Sequence, residues 1–244
     1  MKYYIIEILE RKYYIFSFGK NPNKFEGYLS QLDKDSAAVL LYPDDRYDFF
    51  CGVYSRDGAP MSFNLDTELA LTAFFERVRG YPKGSFEIQS KDGEAYNLQV
   101  SMKGGVSSNP MKCKLLCAKT PVFVSGCHLN CSLVDCLGRC KIFKTENADM
   151  FDISLTLPCL LPSREKTVSV TAISGEVEML VRCLLSEGYP LSAALMSAAF
   201  SFSDSDSVKI LYRRKEYFAE IKHGTVSLLV PYSSFEISEK QMQV

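Results

Sequence analysis

The sequence has no tryptophan, only two histidines and almost no net charge. Its 244 residues include 28 basic and 29 acidic side chains, spread along the chain. Without a basic surface, neither nucleic acid nor an anionic membrane is an expected partner. No apolar run approaches the roughly 20 residues that a membrane-spanning helix needs. Two histidines also leave little material for histidine-based catalysis.

The sequence also lacks the marks of an exported or phosphate-binding protein. Glu7 interrupts the apolar start of the chain, and Glu10, Arg11 and Lys12 follow where a signal peptide would still be apolar. No glycine-rich phosphate loop and no nucleophile elbow is present. Nine cysteines, an odd number, favour free thiols in the cytoplasm over a disulfide framework. We therefore predict a cytoplasmic protein stabilised by burial of apolar side chains.

Two unusually apolar helical segments stand out in what the sequence does contain. Residues 65–78 and 191–202 carry apolar side chains round most of a helical surface, which is typical of buried helices. Short segments rich in Tyr, Ile and Phe flank them, with turn signals such as Asp92-Gly93. The predicted strands are 3–9, 13–18, 37–42, 47–54, 85–90 and 96–102 around the first helix, and 167–173, 177–185, 208–212 and 217–221 around the second.

The segments that lead into the two helices share one pattern. Asp57 to Leu65 and Glu187 to Leu195 both have an acid, Gly, any residue, Pro, an apolar residue, Ser, two residues and Leu. Because the order of strands agrees as well, the pattern indicates an internal repeat. We predict an α+β protein of two similar domains, 1–112 and 113–244. Each is expected to be a mixed, mostly antiparallel sheet wrapped around a central apolar helix.

The order of elements in the first half resembles the diaminopimelate epimerase fold. The resemblance is clearest from Val39 to Pro43, through Ser55 to Gly58 and the helix ending at Gly80, to the strand before Asp92-Gly93. Cofactor-independent amino-acid racemases and epimerases share this fold with phenazine-biosynthesis-type isomerases. The resemblance therefore implies no cofactor. It also implies two cysteines, one at the start of each central helix, facing each other across a cleft between the domains. There the helix end lowers a thiol's pKa.

Neither of the two expected cysteines is present. Ser62 or Asn64 stands at the first position and Ser192 follows the second proline, while Glu187 stands where the family often has Glu. We predict a divergent protein without two-cysteine epimerase activity that binds a small carboxylate or amino acid between its domains. Ser62 and Ser192 are expected to cap the two helices. The alternative is a cofactor-independent isomerase that uses Ser62, Asn64, Glu187 and Ser192 as substitutes. The sequence does not decide between them, and it leaves a homodimer open.

A cluster of thiols between the two helices supports a third hypothesis, a thiol-dependent metal or redox protein. The cluster has no paired two-residue knuckles of the kind that structural zinc sites use, and on strands its side chains would alternate between faces. Buried free thiols are therefore the preferred interpretation. Cys113 and Cys117 begin the cluster, and its candidate ligands are Cys127, His128, Cys131, Cys136 and Cys140.

Overall fold

The computed structural model describes residues 2–20, 25–29, 32–79, 84–99, 104–124, 127–154, 168–175, 178–185, 188–201 and 205–241. The chain splits into two compact units, Met1–Ser108 with Pro231–Val244 and Asn109–Val230. In each unit a mixed, mostly antiparallel sheet packs against one buried helix. The predicted α+β class and architecture are confirmed.

The first unit forms its strands in nearly unbroken chain order, with the central helix between the fourth and fifth strands. Strands β1 to β6 are hydrogen-bonded to one another in sequence, and the helix α2 packs against β1 and β6. Its elements are β1 (Lys2–Ile8), β2 (Arg11–Ser17), α1 (Glu26–Leu29), β3 (Ala37–Tyr42), β4 (Phe49–Tyr54), α2 (Leu65–Phe74), β5 (Ser85–Ser90), β6 (Ala95–Gln99) and β7 (Gly105–Ser107).

The second unit follows the same plan around its own helix. Strands β9 to β16 are again neighbours in chain order, and α3 packs against β11, β12, β13 and β15. A two-residue strand, β8, pairs with β16. The elements are β8 (Met111–Lys112), β9 (Lys114–Val124), β10 (Cys127–Asp135), β11 (Arg139–Lys144), β12 (Val168–Ser174), β13 (Glu178–Leu184), α3 (Leu191–Phe200), β14 (Ser207–Tyr212), β15 (Lys215–Lys222) and β16 (Thr225–Pro231).

The two sheets alternate in the same way between antiparallel and parallel pairing. From β1 to β6 the pairs are antiparallel, parallel, antiparallel, parallel and antiparallel. The pairs from β10 to β15 repeat this order. In both units the central helix connects the second parallel pair, as a crossover between parallel strands requires. An internal repeat predicts that the two sheets share this order of strand pairings.

The C-terminal segment corrects the predicted boundary between the domains. Strand β17 (Glu236–Gln241) pairs antiparallel with β1, so Pro231–Val244 belongs to the first unit and not to a second domain of residues 113–244. Burial of the outer edge of β1 explains this placement, because an unpaired edge exposes backbone N–H and C=O groups. The other boundary lies at Ser108, four residues before the predicted position 112.

Both central helices are buried along nearly their whole length. All ten residues of α2 and the nine from Leu191 to Ala199 in α3 are buried. A π-helical turn, Phe75–Arg79, continues α2 and accounts for the predicted helix reaching residue 78. None of the described helices is long and apolar enough to cross a membrane.

The starts of the two helices differ from the predicted caps. Asn64 is the N-cap of α2, and its Oδ1 accepts hydrogen bonds from the backbone N and the Oγ1 of Thr67, both at 3.0 Å. Pro190 is the N-cap of α3 and makes no side-chain cap hydrogen bond. The capping role predicted for Ser62 and Ser192 is wrong. Ser62 lies before the capping position, and Ser192 is already inside the helix.

One side-chain pair ties the C-terminal segment to the end of α2. The Tyr232 hydroxyl donates a hydrogen bond to the Glu76 carboxylate in the π-helical turn. Burial raises the pKa of Glu76, although the tyrosine donor opposes that shift. Burial and the neighbouring carboxylate raise the pKa of Tyr232 to about 12. The Arg77 guanidinium lies 4.7 Å from the centre of the Tyr232 ring.

Replacing Asn64 by Ala should lower the free energy of unfolding by about 1 kcal/mol, the usual effect of losing an N-cap. Ser62→Ala is the matched control and should change it by less than about 0.5 kcal/mol. Urea denaturation followed by circular dichroism measures both. Equal losses in the two variants would contradict the assignment of Asn64 as the cap.

Replacing Tyr232 by Phe should destabilise the protein by about 1 kcal/mol at neutral pH, because a partly buried carboxylate loses its donor. The loss should shrink as the pH falls through the pKa of Glu76, since a protonated carboxyl no longer needs that donor. Urea denaturation at neutral and acidic pH measures the difference. Glu76→Gln, which removes the charge, should abolish the pH dependence of the Tyr232→Phe effect.

Candidate functional site

The first unit has a cavity where the strand before α2 meets the hairpin after it. Its volume is about 300 Å³. One wall is the end of β4, another is the extended segment that leads into α2, and the third is the β5–β6 turn. The lining residues are Cys51, Val53, Pro60, Met61, Ser62, Phe63, Ser90, Lys91 and Asp92.

Most polar groups around this cavity are already engaged by neighbouring side chains. The Ser90 hydroxyl donates a hydrogen bond to the Asp92 carboxylate. The Lys91 ammonium lies 4.7 Å from the centre of the Tyr54 ring. Cys51 is fully buried, and its pKa is raised by burial and further by the negative charge of Asp92. The thiol is therefore protonated at neutral pH and is a poor base or nucleophile.

The second unit has a cavity of about 340 Å³ in which arginine is prominent. Arg182 Nη1 donates hydrogen bonds to the backbone carbonyls of Asp149, at 2.9 Å, and Phe151, at 3.1 Å. The Arg213 guanidinium lies 5.6 Å from the centre of the Tyr212 ring. The lining residues are Asp149, Val181, Arg182, Cys183, Tyr212 and Arg213.

Strand register shows that the two cavities share equivalent strand residues, although the segment before α2 lines only the first and Asp149 lines only the second. Cys51 pairs with Ser90 across the parallel strands β4 and β5. Leu180 pairs with Leu211 across β13 and β14, which brings the next residues, Val181 and Tyr212, side by side. The equivalence places Arg182 where the first unit has Gly52. It likewise places Arg213 where the first unit has Lys91.

The starts of the two central helices differ in charge. The first turn of α2 carries Asp66 and Glu68, both buried, in addition to the Asn64 cap. The first turn of α3 carries no acidic residue. Because the start of a helix is equivalent to roughly half a positive charge, two carboxylates there compensate the field of α2. A ligand anion would therefore be attracted less to α2 than to α3.

Of the predicted catalytic candidates that the structure describes, one lines a cavity, and two predicted metal-site candidates, His128 and Cys131, line a separate cavity of about 390 Å³. Ser62 is exposed and lines the cavity of the first unit. Asn64 is occupied as the cap, and Ser192 is buried within α3. Glu187 lies outside the described residues. Sequence reasoning missed Lys91, Arg182 and Arg213, although extending the repeat from Asp57 and Glu187 into the flanking strands would have aligned Gly52 with Arg182.

The thiol cluster is spread over several environments. Cys131, Cys136 and Cys140 are buried free thiols, while His128 is exposed with its ring 5.0 Å from that of Phe123. The side chain of Cys127 lies outside the described residues. Among the described side chains, no group of three or more His, Cys, Asp or Glu residues is arranged to hold a metal ion. Cys140 Sγ instead lies 3.2 Å from the hydroxyl of Thr171.

Comparison with known proteins identifies the fold. No protein-family profile and no curated protein matches the chain. Its structure is similar to a phenazine biosynthesis protein of the PhzF family from Enterococcus faecalis, with a TM-score of 0.71 and 12% identity over 100% of this chain and 99% of that one. It is also similar to a predicted epimerase from Pseudomonas aeruginosa, with a TM-score of 0.61 and 10% identity over 100% and 99% of the two chains.

A third similar structure is a hydroxyproline epimerase from Agrobacterium vitis with bound trans-4-hydroxy-L-proline. The TM-score is 0.54 and the identity 10%, over 98% of this chain and 92% of that one. At such low identities these likenesses establish the fold alone. The chain has the diaminopimelate epimerase-like fold, as the order of its strands and helices predicted.

Alkylation should separate an accessible thiol from the buried ones. Cys117 is exposed on β9, and hydrogen bonds from the Thr120 hydroxyl and the Lys119 backbone N–H lower its pKa. At neutral pH we expect iodoacetamide to modify Cys117 first, whereas Cys51 and Cys140 react only after unfolding.

Mass spectrometry of the alkylated peptides gives the order of reaction. The variant Cys117→Ser is the control and should lack the fast phase. If Cys51 reacted as fast as Cys117, the cavity of the first unit would contain an activated thiol, and the assignment of Cys51 as a protonated wall residue would be wrong.

Proposed function

We propose that the protein is a divergent, non-catalytic member of the diaminopimelate epimerase-like fold that binds a small carboxylate or amino acid. One observation carries the proposal: neither central helix begins with a cysteine. Asn64 precedes α2 and Pro190 precedes α3. Moving a proton from one face of a Cα atom to the other requires a base and an acid on opposite sides. No cysteine stands at either helix start to take either role.

The state of the neighbouring thiols supports the same proposal. Cys51 and Cys183 lie on the strands that precede the two helices, and each lines the cavity of its own unit. Burial raises the pKa of Cys51. The Sγ of Cys183 accepts a hydrogen bond from the Thr171 hydroxyl at 3.7 Å. The protonated thiol of Cys51 does not supply the thiolate that proton abstraction requires.

A second candidate function is a cofactor-independent isomerase that acts on a small amino or carboxylic acid with substitute residues. The observation that favours it is the placement of Ser62, which is exposed in a cavity that also contains Asp92. A serine hydroxyl needs an adjacent base to take up a proton. The Asp92 carboxylate already accepts a hydrogen bond from Ser90, so we rank this function second.

The remaining sequence-based predictions form part of the proposal. The matching order of strand pairings supports an origin of both units from one repeated unit. The seven cysteines whose side chains are described are all free, which supports a reducing, cytoplasmic location. We propose no cofactor and no nucleic-acid or membrane partner, on the balance of 28 basic and 29 acidic residues. A homodimer is left open.

Incubation with L-amino acids in deuterium oxide tests the lack of epimerase activity. We expect no deuterium at Cα above the rate without protein, because the cysteine pair is missing from the helix starts. Mass spectrometry or proton NMR measures the exchange, and a cofactor-independent racemase under the same conditions is the positive control. Exchange that Ser62→Ala abolishes would overturn the proposal in favour of the isomerase.

A further inference from the structure

We infer that the cavity of the second unit binds the oxyanion group of a small molecule, a carboxylate or a phosphate, through Arg182 and Arg213. The inference rests on the proposed function, since it takes a small carboxylate or amino acid as one class of ligand. The inference identifies which of the two cavities binds the anion and which side chains contact the anion.

Comparison of the two units shows that the arginines are additions to a common framework. Where the second unit has Arg182, the first has Gly52, and a Cβ at Gly52 would lie 2.7 Å from the Tyr54 ring. The first unit therefore fills this space with an aromatic ring. Because the backbone pairing is the same in both units, the fold itself does not require a guanidinium at this place.

Arg182 is held in a fixed orientation by the main chain. Its Nη1 atom donates to two backbone carbonyls, those of Asp149 and Phe151. A guanidinium has five N–H donors in a rigid planar fork, and these two bonds engage one nitrogen. A side chain fixed in this way loses little conformational freedom when it binds an anion.

Arg213 stands in a turn that normally selects other residues. Tyr212 pairs with Lys215, so Arg213 and Arg214 form a two-residue hairpin turn, with φ angles of 47° and 67°. Glycine and asparagine are favoured at such left-handed positions, and side chains like arginine are strained there. Arg213, which packs on the Tyr212 ring, lines the cavity, whereas Arg214 is not among its lining residues.

The volume and charge of the cavity limit the ligand. A volume of about 340 Å³ lies at the small end of the range for ligand pockets, roughly 300 to 1,000 Å³. Asp149 also lines the cavity and is exposed. Arginines outnumber carboxylates among the lining residues, two to one, which suits an oxyanion. A cationic group elsewhere on the ligand, such as the ammonium of an amino acid, would be matched by Asp149.

The test uses the full chain with inorganic phosphate, acetate and L-alanine as probes, titrated by NMR. Arg213→Asn removes the charge and keeps a residue that tolerates the left-handed turn. We expect this variant to bind every probe that the wild type binds about tenfold more weakly or worse, as loss of a charge-assisted hydrogen bond predicts. Arg214→Asn, which removes the same charge from the same turn, should change the affinity by less than about twofold.

Two further variants distinguish the outcomes. Lys91→Asn removes the equivalent charge in the first unit and should have no effect. If it abolished binding while Arg213→Asn did not, the inference would be wrong and the proposed function would stand. Equal weakening by Arg213→Asn and Arg214→Asn would show that the affinity depends only on the overall charge of the turn. That result would overturn the inference. Binding of no probe by the wild type would overturn both the inference and the ligand in the proposed function.

The preference among the probes identifies the anion. Stronger binding of phosphate indicates a phosphate ligand, and stronger binding of acetate indicates a carboxylate. Tighter binding of L-alanine than of acetate, lost in Asp149→Asn, indicates an amino acid. Arg213→Lys keeps the charge without the planar fork and should bind with intermediate affinity. Arg213→Lys provides a second test if Arg213→Asn folds poorly. The thermal midpoint of Arg213→Asn would reveal such poor folding.

Discussion

Burying the start of an apolar helix is the constraint on which this structure depends. The first turn of any helix has backbone N–H groups without partners inside the helix, and a protein interior offers no water to satisfy them. The first unit meets the constraint in part with the Asn64 side chain, which accepts a hydrogen bond from the backbone N–H of Thr67. The second has Pro190 at the cap, which lacks an N–H group of its own. The two units therefore begin their central helices in different ways.

The first of these solutions conflicts with the chemistry that the fold supports in epimerases. A thiol at the start of a helix is activated because the helix end favours its ionised form. At α2 that field acts on Asp66 and Glu68, which are themselves buried at 6% exposure each. Negative charge on either carboxyl group would disfavour a thiolate introduced beside them. The divergence of α2 therefore extends from the missing cysteine to the surrounding electrostatics, so restoring the cysteine alone would not restore an activated thiol.

Features set by short-range patterns could be predicted from the sequence, and features set by long-range pairing could not. The buried helices, the hairpin around Asp92-Gly93 and the fold class followed from local periodicity and turn chemistry. The cap of α2 was misassigned to Ser62 because the shared junction pattern hides a difference of one helical turn: α2 begins at Leu65, whereas α3 begins at Leu191, directly after its proline. Strand β17 pairs with β1, and Arg182 lines the same cavity as Arg213. In both cases the segments are far apart in the chain, and no local pattern connects them.

The repeat also separates what folding requires from what it does not. Positions that serve the core in both units stay apolar, as Cys51 and Val181 do on the equivalent strands. Gly52 gives way to Arg182 where the strand pairing is the same. Arg213 stands in a two-residue turn, whereas the first unit has a longer turn that begins at Lys91. The second of these changes also introduces a strained turn. A change that adds charge and strain without improving packing is the kind of local inconsistency that marks functional sites in proteins. For this reason the asymmetry between the units carries more functional information than their similarity, which defines only the framework.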